Sequence, residues 1–307
     1  MGKKWTENDI PDLGGKVIII TGANNGIGFE NTKEFARKNA TVIMACRNLS
    51  KGQKALEKVK NNVPDGQIEL MELDLANISS IKRFATSFKE KYSKLDILLN
   101  NAGIMMVPYR KTADGFESQI GTNHLGHFTL TALLFDVLKQ TSGSRIINVS
   151  SEGHNFGEMD WNDFMFEKKY GRVKAYGRSK LANLLFTYEL DRRLKAKNIP
   201  VLALASHPGT ANTGLGDHLF GPVKFFLKPI VFFFIAQSAY KGSLPSARAA
   251  VDPDVKGGEY FGPKGFLGTE TRGSPTMVQS NEQSHNLEDA TILWEKSEEL
   301  TGIMFQI

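Results

Sequence analysis

Thr21-Gly22-Ala23-Asn24-Asn25-Gly26-Ile27-Gly28 decides the fold. It follows Lys16-Val17-Ile18-Ile19-Ile20, a short β-branched run that reads as a buried strand. Residues 29–39 behind it have helical character. Strand, glycine turn and helix, in that order, are the context in which a glycine pattern becomes a phosphate site. Gly22 can take backbone angles closed to other residues, Gly26 lets a pyrophosphate approach the main chain, and Gly28 lets helix pack on strand. The opening helix points its free N–H groups and positive dipole end at the phosphates. The spacing here is G-x-x-x-G-x-G, whereas the commonest dinucleotide fingerprint is G-x-G-x-x-G. By itself the stretch reads equally as a nucleotide site or as a tight corner.

Working outward, strands and helices alternate. Strands are expected at 16–20, 41–45, 68–73, 97–99, 145–149 and 201–205. Helices are expected at 29–39, from about 51, and at 81–92, 116–139 and 174–196. That alternation predicts an α/β protein with a doubly wound parallel sheet and helices on both faces. Regularity fades after Ser206, returning in a short last strand within 257–262 and a helix at 290–300, for about seven strands in all. No repeat, low-complexity tract or linker divides the chain, so one domain is expected over 1–307.

Bulk properties narrow the function. With 307 residues, 41% hydrophobic and 23% charged, the composition is that of a globular protein. The net charge of +5 is spread along helices, which argues against nucleic acid as a partner. The single Cys46 rules out an internal disulfide and fits a reducing, cytoplasmic compartment. Met1 to Asp12 is polar, so neither secretory signal nor membrane anchor is expected, although Met1-Gly2-Lys3-Lys4-Trp5-Thr6 matches the loose myristoylation pattern. The greasiest stretch, 225–236, is too short to span a bilayer and carries Lys228 and Pro229.

In such sheets ligands bind beyond the carboxyl ends of the strands, near the point where strand order reverses. The residues expected there are the glycine turn, Cys46-Arg47-Asn48, Asp74, Asn100-Asn101-Ala102-Gly103, Ser150-Ser151 and His207-Pro208-Gly209-Thr210. Each has a bland reading as a turn or cap; six on one edge are harder to dismiss. Tyr176-Gly177-Arg178-Ser179-Lys180 adds a phenol and an ammonium four apart, on one face of a predicted helix. A phenol titrates near 10 when unperturbed, and a nearby cation lowers that value, giving a usable proton donor or acceptor for a carbonyl or alcohol. Ser151, 25 positions earlier, offers a hydroxyl for the same substrate oxygen.

Together, residues 21–28, 100–103, Asn148-Val149-Ser150-Ser151, Tyr176 with Lys180, and Pro208-Gly209 resemble the motif set of the short-chain dehydrogenase/reductase family, over nearly the whole chain. Thr122-Asn123-His124-Leu125-Gly126-His127-Phe128, Ser179-Lys180-Leu181-Ala182-Asn183 and Leu293-Trp294-Glu295 are similar to its retinol dehydrogenase branch. WW-domain oxidoreductases and light-dependent protochlorophyllide reductases share parts of these motifs. The resemblance implies a single-domain Rossmann fold, with a cofactor-binding and catalytic core at 14–210, a substrate lid at 211–250 and a C-terminal completion at 251–307. It makes Tyr176 the general acid/base, with Lys180 lowering its pKa and holding the nicotinamide ribose. Ser151 fixes the substrate oxygen, and Asn123 supports a water-linked proton relay with Lys180. The cofactor is expected against Gly22, Asn24, Asn25, Gly26, Ile27, Gly28, Arg47, Asp74, Leu75, Asn100, Ala102 and Gly103. Pro208, Gly209, Thr210 and Thr213 are expected to close over the nicotinamide. A homodimer through the helices of Asn123 and Tyr176 is a family habit.

Finer expectations rest on single features. Arg47 ends the second strand where an acidic residue would repel a 2′-phosphate, so NADP(H) is the expected cofactor. Ile104-Met105-Met106-Val107 and the phenylalanines at 220, 225, 226 and 232–234 point to an apolar, retinoid- or lipid-like alcohol or aldehyde. Packing of those phenylalanines in a core or a dimer is the alternative. Steroids and small xenobiotic carbonyls are the runner-up substrates. Lys224 and Lys228 beside the Phe cluster would allow peripheral membrane contact. His124, His127, His154 and His207 lack the clustered spacing of a metal site, and no G-x-S-x-G suggests a serine hydrolase. A non-catalytic NADP(H)-sensing or scaffold role would be signalled by an eroded catalytic set; Asn123, Ser151, Tyr176 and Lys180 are all present.

Overall fold

The computed structural model describes residues 4–209, 238–265 and 271–307. A single sheet runs β3-β2-β1-β4-β5-β6-β7-β8. Its strands are β1 (Val17–Thr21), β2 (Thr41–Cys46), β3 (Ile68–Glu72), β4 (Ile97–Asn100), β5 (Arg145–Val149), β6 (Leu202–Ser206), β7 (Tyr260–Lys264) and β8 (Ser274–Val278). Pairing is parallel up to β7, and β8 runs antiparallel to it.

Alternation along β1 explains the two layers. Val17 and Ile19 join a core with α3 (Ile78–Lys91), α5 (Gly126–Gln140) and α6 (Arg172–Ala196). Ile18 and Ile20 join the opposite core, with α1 (Gly26–Arg37) and α2 (Leu49–Asn62). Successive strand side chains point to opposite faces, so a run apolar throughout is covered on both. The chain winds from β1 to β2 and β3 on one side and to β4 and beyond on the other. The strand order therefore reverses between β1 and β4, and a crevice opens at their carboxyl ends.

Three differences from expectation have local causes. The sheet has eight strands, not seven. β8 contains Pro275, which has no N–H to donate and suits an edge strand, and the proline obscures the alternation. Residues 239–250, expected in a lid, form most of α7 (Ala239–Val251), which packs against α1 and the sheet. Ser238 caps it, and Pro245 lies within it and masks its helical pattern. The helix expected over 116–139 is interrupted. A short α4 (Ser118–Ile120) leads into a π turn, Gly121–Leu125, before α5 begins. Gly126 N–H there bonds back to the carbonyl of Gly121, five residues earlier. The last helix, α8 (Leu287–Thr301), lies on α6. Behind it Phe305 stacks on Trp294 with centroids 4.9 Å apart. Among the described residues no helix is long and apolar enough to cross a membrane. Thr210, Thr213, the Phe cluster, Lys224, Lys228 and the Met1-Gly2 pair lie outside the described residues.

Candidate active site

The largest share of the expected residues meets in one cleft at the β1/β4 reversal. Gly22, Asn24, Asn25, Gly26 and Ile27 form one wall. Gly22 and Gly26 both adopt left-handed angles, φ 67° and 56°, where a side chain is strained. Arg47, Asp74 and Leu75 border the far end; Ala102, Gly103, Tyr176, Lys180 and Pro208 line the rest. Arg47 is exposed and makes no hydrogen bond or ion pair with the described residues. Asp74 uses one carboxylate oxygen to accept from Ala76 N–H at 3.0 Å.

Other expected residues stand behind the wall. A Cβ on Gly28 would sit 2.6 Å from Asn101 Nδ2 and 2.7 Å from the Gly22 carbonyl, so its role is close packing of helix on strand. Asn100 is buried, and its amide donates to Thr131 Oγ at 3.1 Å and Asn148 Oδ1 at 2.8 Å, away from the cleft. Gly209, at φ 63°, packs against Thr271 and Pro263.

At the cleft floor α6 presents Tyr176 and Lys180 one turn apart. Lys180 Nζ donates to the Val149 carbonyl at 2.9 Å, and burial pulls its pKa from 10.5 down to about 8. The expected lowering of the phenol by this ammonium is not what the structure gives. Burial pushes Tyr176 up to about 12, opposed by a hydrogen bond with Ser151. The ammonium stands 5.8 Å from the ring centroid and is itself desolvated, so enclosure outweighs attraction. Ser151 caps the 3₁₀ turn Glu152–Phe156, its hydroxyl accepting from Gly153 N–H at 3.1 Å.

The π turn positions Asn123. Its Oδ1 accepts from Ile104 N–H at 2.8 Å, and its amide donates to the Ile104 carbonyl at 2.9 Å and to Ser179 Oγ at 2.8 Å. Ser179 in turn donates to the Tyr176 carbonyl at 2.8 Å, which ties Asn123 to the helix of the phenol. A Cβ on Gly103 would meet Asn123 Oδ1 at 3.2 Å and Lys180 Nζ at 3.6 Å, so this backbone passes between the two heads.

The supporting roles of several residues escaped the sequence reading. Thr21 Oγ accepts from the N–H groups of Asn101 and Ala102, each at 2.9 Å. His127 faces it through Nε2 at 2.9 Å and faces the Asn123 carbonyl through Nδ1 at 2.9 Å. The proton must then sit on Nδ1, and Nε2 accepts the Thr21 hydroxyl. Burial holds His127 at about 4, so this link is neutral. On the other side, His154 Nδ1 donates to the Ser151 carbonyl at 2.7 Å, while its Nε2 accepts from Asn281 N–H at 3.3 Å. His127 stands four residues after Asn123, a helical spacing that could have flagged it; Asn281 carries no such signal.

The family model described as short chain dehydrogenase matches residues 16–221. Retinol dehydrogenase 14 of Mus musculus is 38% identical over 306 residues, covering 94% of this chain and 87% of its own. Retinol dehydrogenase 11 of Homo sapiens is 41% identical over 253 residues, covering 81% and 77% respectively. The crystal structure of an uncharacterized protein from Mycobacterium paratuberculosis superposes with a TM-score of 0.82 at 40% identity, covering 99% of this chain and all of that one. The chain therefore belongs to the short-chain dehydrogenase family, in its retinol dehydrogenase-like branch, whose members interconvert alcohols and carbonyl compounds with a nicotinamide cofactor.

Proposed function

We propose that this protein is an NADP(H)-dependent oxidoreductase of apolar, retinoid- or lipid-like aldehydes and alcohols. The observation that carries the reaction is the buried Tyr176 phenol, which meets Ser151 around Gly153 and lies one helical turn from Lys180 on the cleft floor. Hydride chemistry is supplied by the nicotinamide dinucleotide when it is bound. The chain's residues handle the oxygen. Ser151 holds it, and Tyr176, protonated in its enclosed site, gives it a proton during reduction; in oxidation the phenolate form of Tyr176 takes the proton of the alcohol. Lys180 and Asn123 hold the groups around the phenol in register.

Arg47 supports the choice of NADP(H). It is a cation at the end of β2, exposed at the cleft and uncommitted to any described carboxylate, and so suited to a 2′-phosphate. Ile104 on the cleft wall, with the half-buried Met105 and Met106 beyond it, supports an apolar substrate. The names of the retinol dehydrogenase relatives point the same way.

One kinetic set tests all three parts. The kcat/KM for aldehydes of rising chain length, for retinal and for a sugar ketone is measured with NADPH and NADH, using wild type, Tyr176→Phe and Arg47→Asp. Tyr176→Phe should bind NADPH normally and lose roughly a hundred- to ten-thousand-fold in turnover. Arg47→Asp should shift preference toward NADH. Each buried methylene contributes at most about 0.8 kcal/mol, so the wild-type series should climb with length. Activity above a tenth of wild type in Tyr176→Phe removes the acid/base role, equal wild-type use of NADH removes the cofactor preference, and a flat series or preference for the sugar removes the apolar substrate.

A further inference from the structure

Met106 has a left-handed backbone, φ 49°, which a residue with a side chain adopts only when its surroundings impose it. The surroundings are a closed set of hydrogen bonds centred on Gln119, which is fully buried on α4. Gln119 Oε1 accepts from Met106 N–H at 2.7 Å. Its two amide N–H groups donate to Tyr170 Oη at 2.9 Å and to the Arg172 carbonyl at 3.1 Å. Tyr170 closes the ring by donating its own hydroxyl to the Val107 carbonyl at 2.8 Å. Met106 N–H can only donate, so the orientation of the Gln119 amide is fixed, and every polar atom of that amide is used. Burial and the neighbouring Glu117 push Tyr170 up to about 12, which keeps it a donor throughout the working pH range.

Two things are joined by this set. One is the segment 104–107, which leaves the cleft floor at Gly103 beside Lys180 and carries Ile104, Met105 and Met106 outward. The other is Arg172, first residue of α6, one turn before Tyr176. Asn123 anchors the inner end of the segment at Ile104; Gln119 and Tyr170 anchor its outer end at Met106 and Val107.

We propose that Gln119, with Tyr170, is a positioning residue that holds the segment 104–106, whose Ile104 lines the cleft, at a fixed distance from Tyr176 and thereby sets selectivity for the aliphatic tail of the substrate. The proposal rests on the aldehyde reading given above. Without the clamp the left-handed bend relaxes, and the wall no longer packs along a chain whose head is held at Tyr176.

Gln119→Leu removes all three bonds of the amide. Tyr170→Phe removes the bond to Val107, the longer one to Glu117 at 3.4 Å and the acceptor for one Gln119 N–H, and is the milder variant should the first fail to fold. For each, kcat/KM is measured with NADPH across the aldehyde series, and NADPH affinity is measured separately. Wild type should gain up to about fourfold per buried methylene. Both variants should fall below about twofold per methylene, through a rise in KM for long aldehydes, with activity on the shortest aldehyde and NADPH affinity unchanged. A merely structural role would lower every substrate by one factor and leave the slope intact, and that result overturns the proposal. A flat wild-type series overturns it too, together with the aldehyde reading, because no tail selectivity then exists for Gln119 to set. A climbing wild-type series with unaltered slopes in the variants overturns the role of Gln119 alone.

Discussion

Lys180 is held at some expense. Its ammonium bonds one backbone carbonyl and is otherwise enclosed, so the folded chain binds its proton less firmly than the unfolded one does. Between about 8 and the ordinary 10.5, the unfolded state carries more protons at this site, so stability should rise as pH rises through that window. Cys46 works with the opposite sign from 9.0 to about 11, because burial raises its pKa and the unfolded thiol ionises first. Comparison with Lys180→Met, which keeps Cys46, isolates the lysine. In urea titrations without cofactor, wild type should gain on the variant from pH 8 to 10, by at most about 1 kcal/mol per pH unit. A pH-independent difference would mean that Lys180 keeps an ordinary affinity for its proton in the fold.

Among the elements, α8 and the tail behind it complete a core that the sheet and α5 leave open. Phe305 stacks on Trp294 and meets Phe128 and Phe135 edge-on at 5.6 and 5.2 Å. Arg193 covers Trp294 from outside, 4.2 Å above the ring. Phe305→Ala should therefore cost about 3–5 kcal/mol of stability, read as a lower urea midpoint at unchanged m. A loss under about 1 kcal/mol would show that the tail does not stay in its slot. The helices and strands were unevenly legible in the sequence. β1 to β6 were found to within a residue or so, because all but β3, the partly exposed edge strand with Glu69 and Glu72, are buried runs bounded by polar turns. β8 and α7 were missed for one reason: Pro275 and Pro245 interrupt patterns that tertiary packing tolerates. The π turn was invisible because one extra residue in a long apolar helix barely alters its periodicity.

For the molecule as a whole, the motif residues could be picked out from the chain because each sits at a strand end or on one helical face. The network beneath them could not, since its pairs lie far apart in sequence: Thr21 and His127 are 106 positions apart, His154 and Asn281 are 127. Two of the buried imidazoles, His127 and His124, meet at the π turn. His127 joins Thr21 to the Asn123 carbonyl, and His124 bonds Ser297 of α8 at 2.9 Å. Burial pulls both down from 6.5, to about 4 and about 3. In the unfolded chain both take up protons near 6.5, and in the folded chain neither does until far lower pH. The stability tied to their neutrality is complete above pH 6.5 and drains away as pH falls toward 4. Unfolding free energy should thus decline between pH 6.5 and 5 by up to roughly 2 to 3 kcal/mol per unit for the pair. A urea midpoint that stays level over that range would contradict it. Mild acid is accordingly a solvent in which this protein loosens from its interior, at the hydrogen bonds that tie the end of β1 and the last helix to the π turn. The acid limit of the fold is then set in the core rather than by the surface charges.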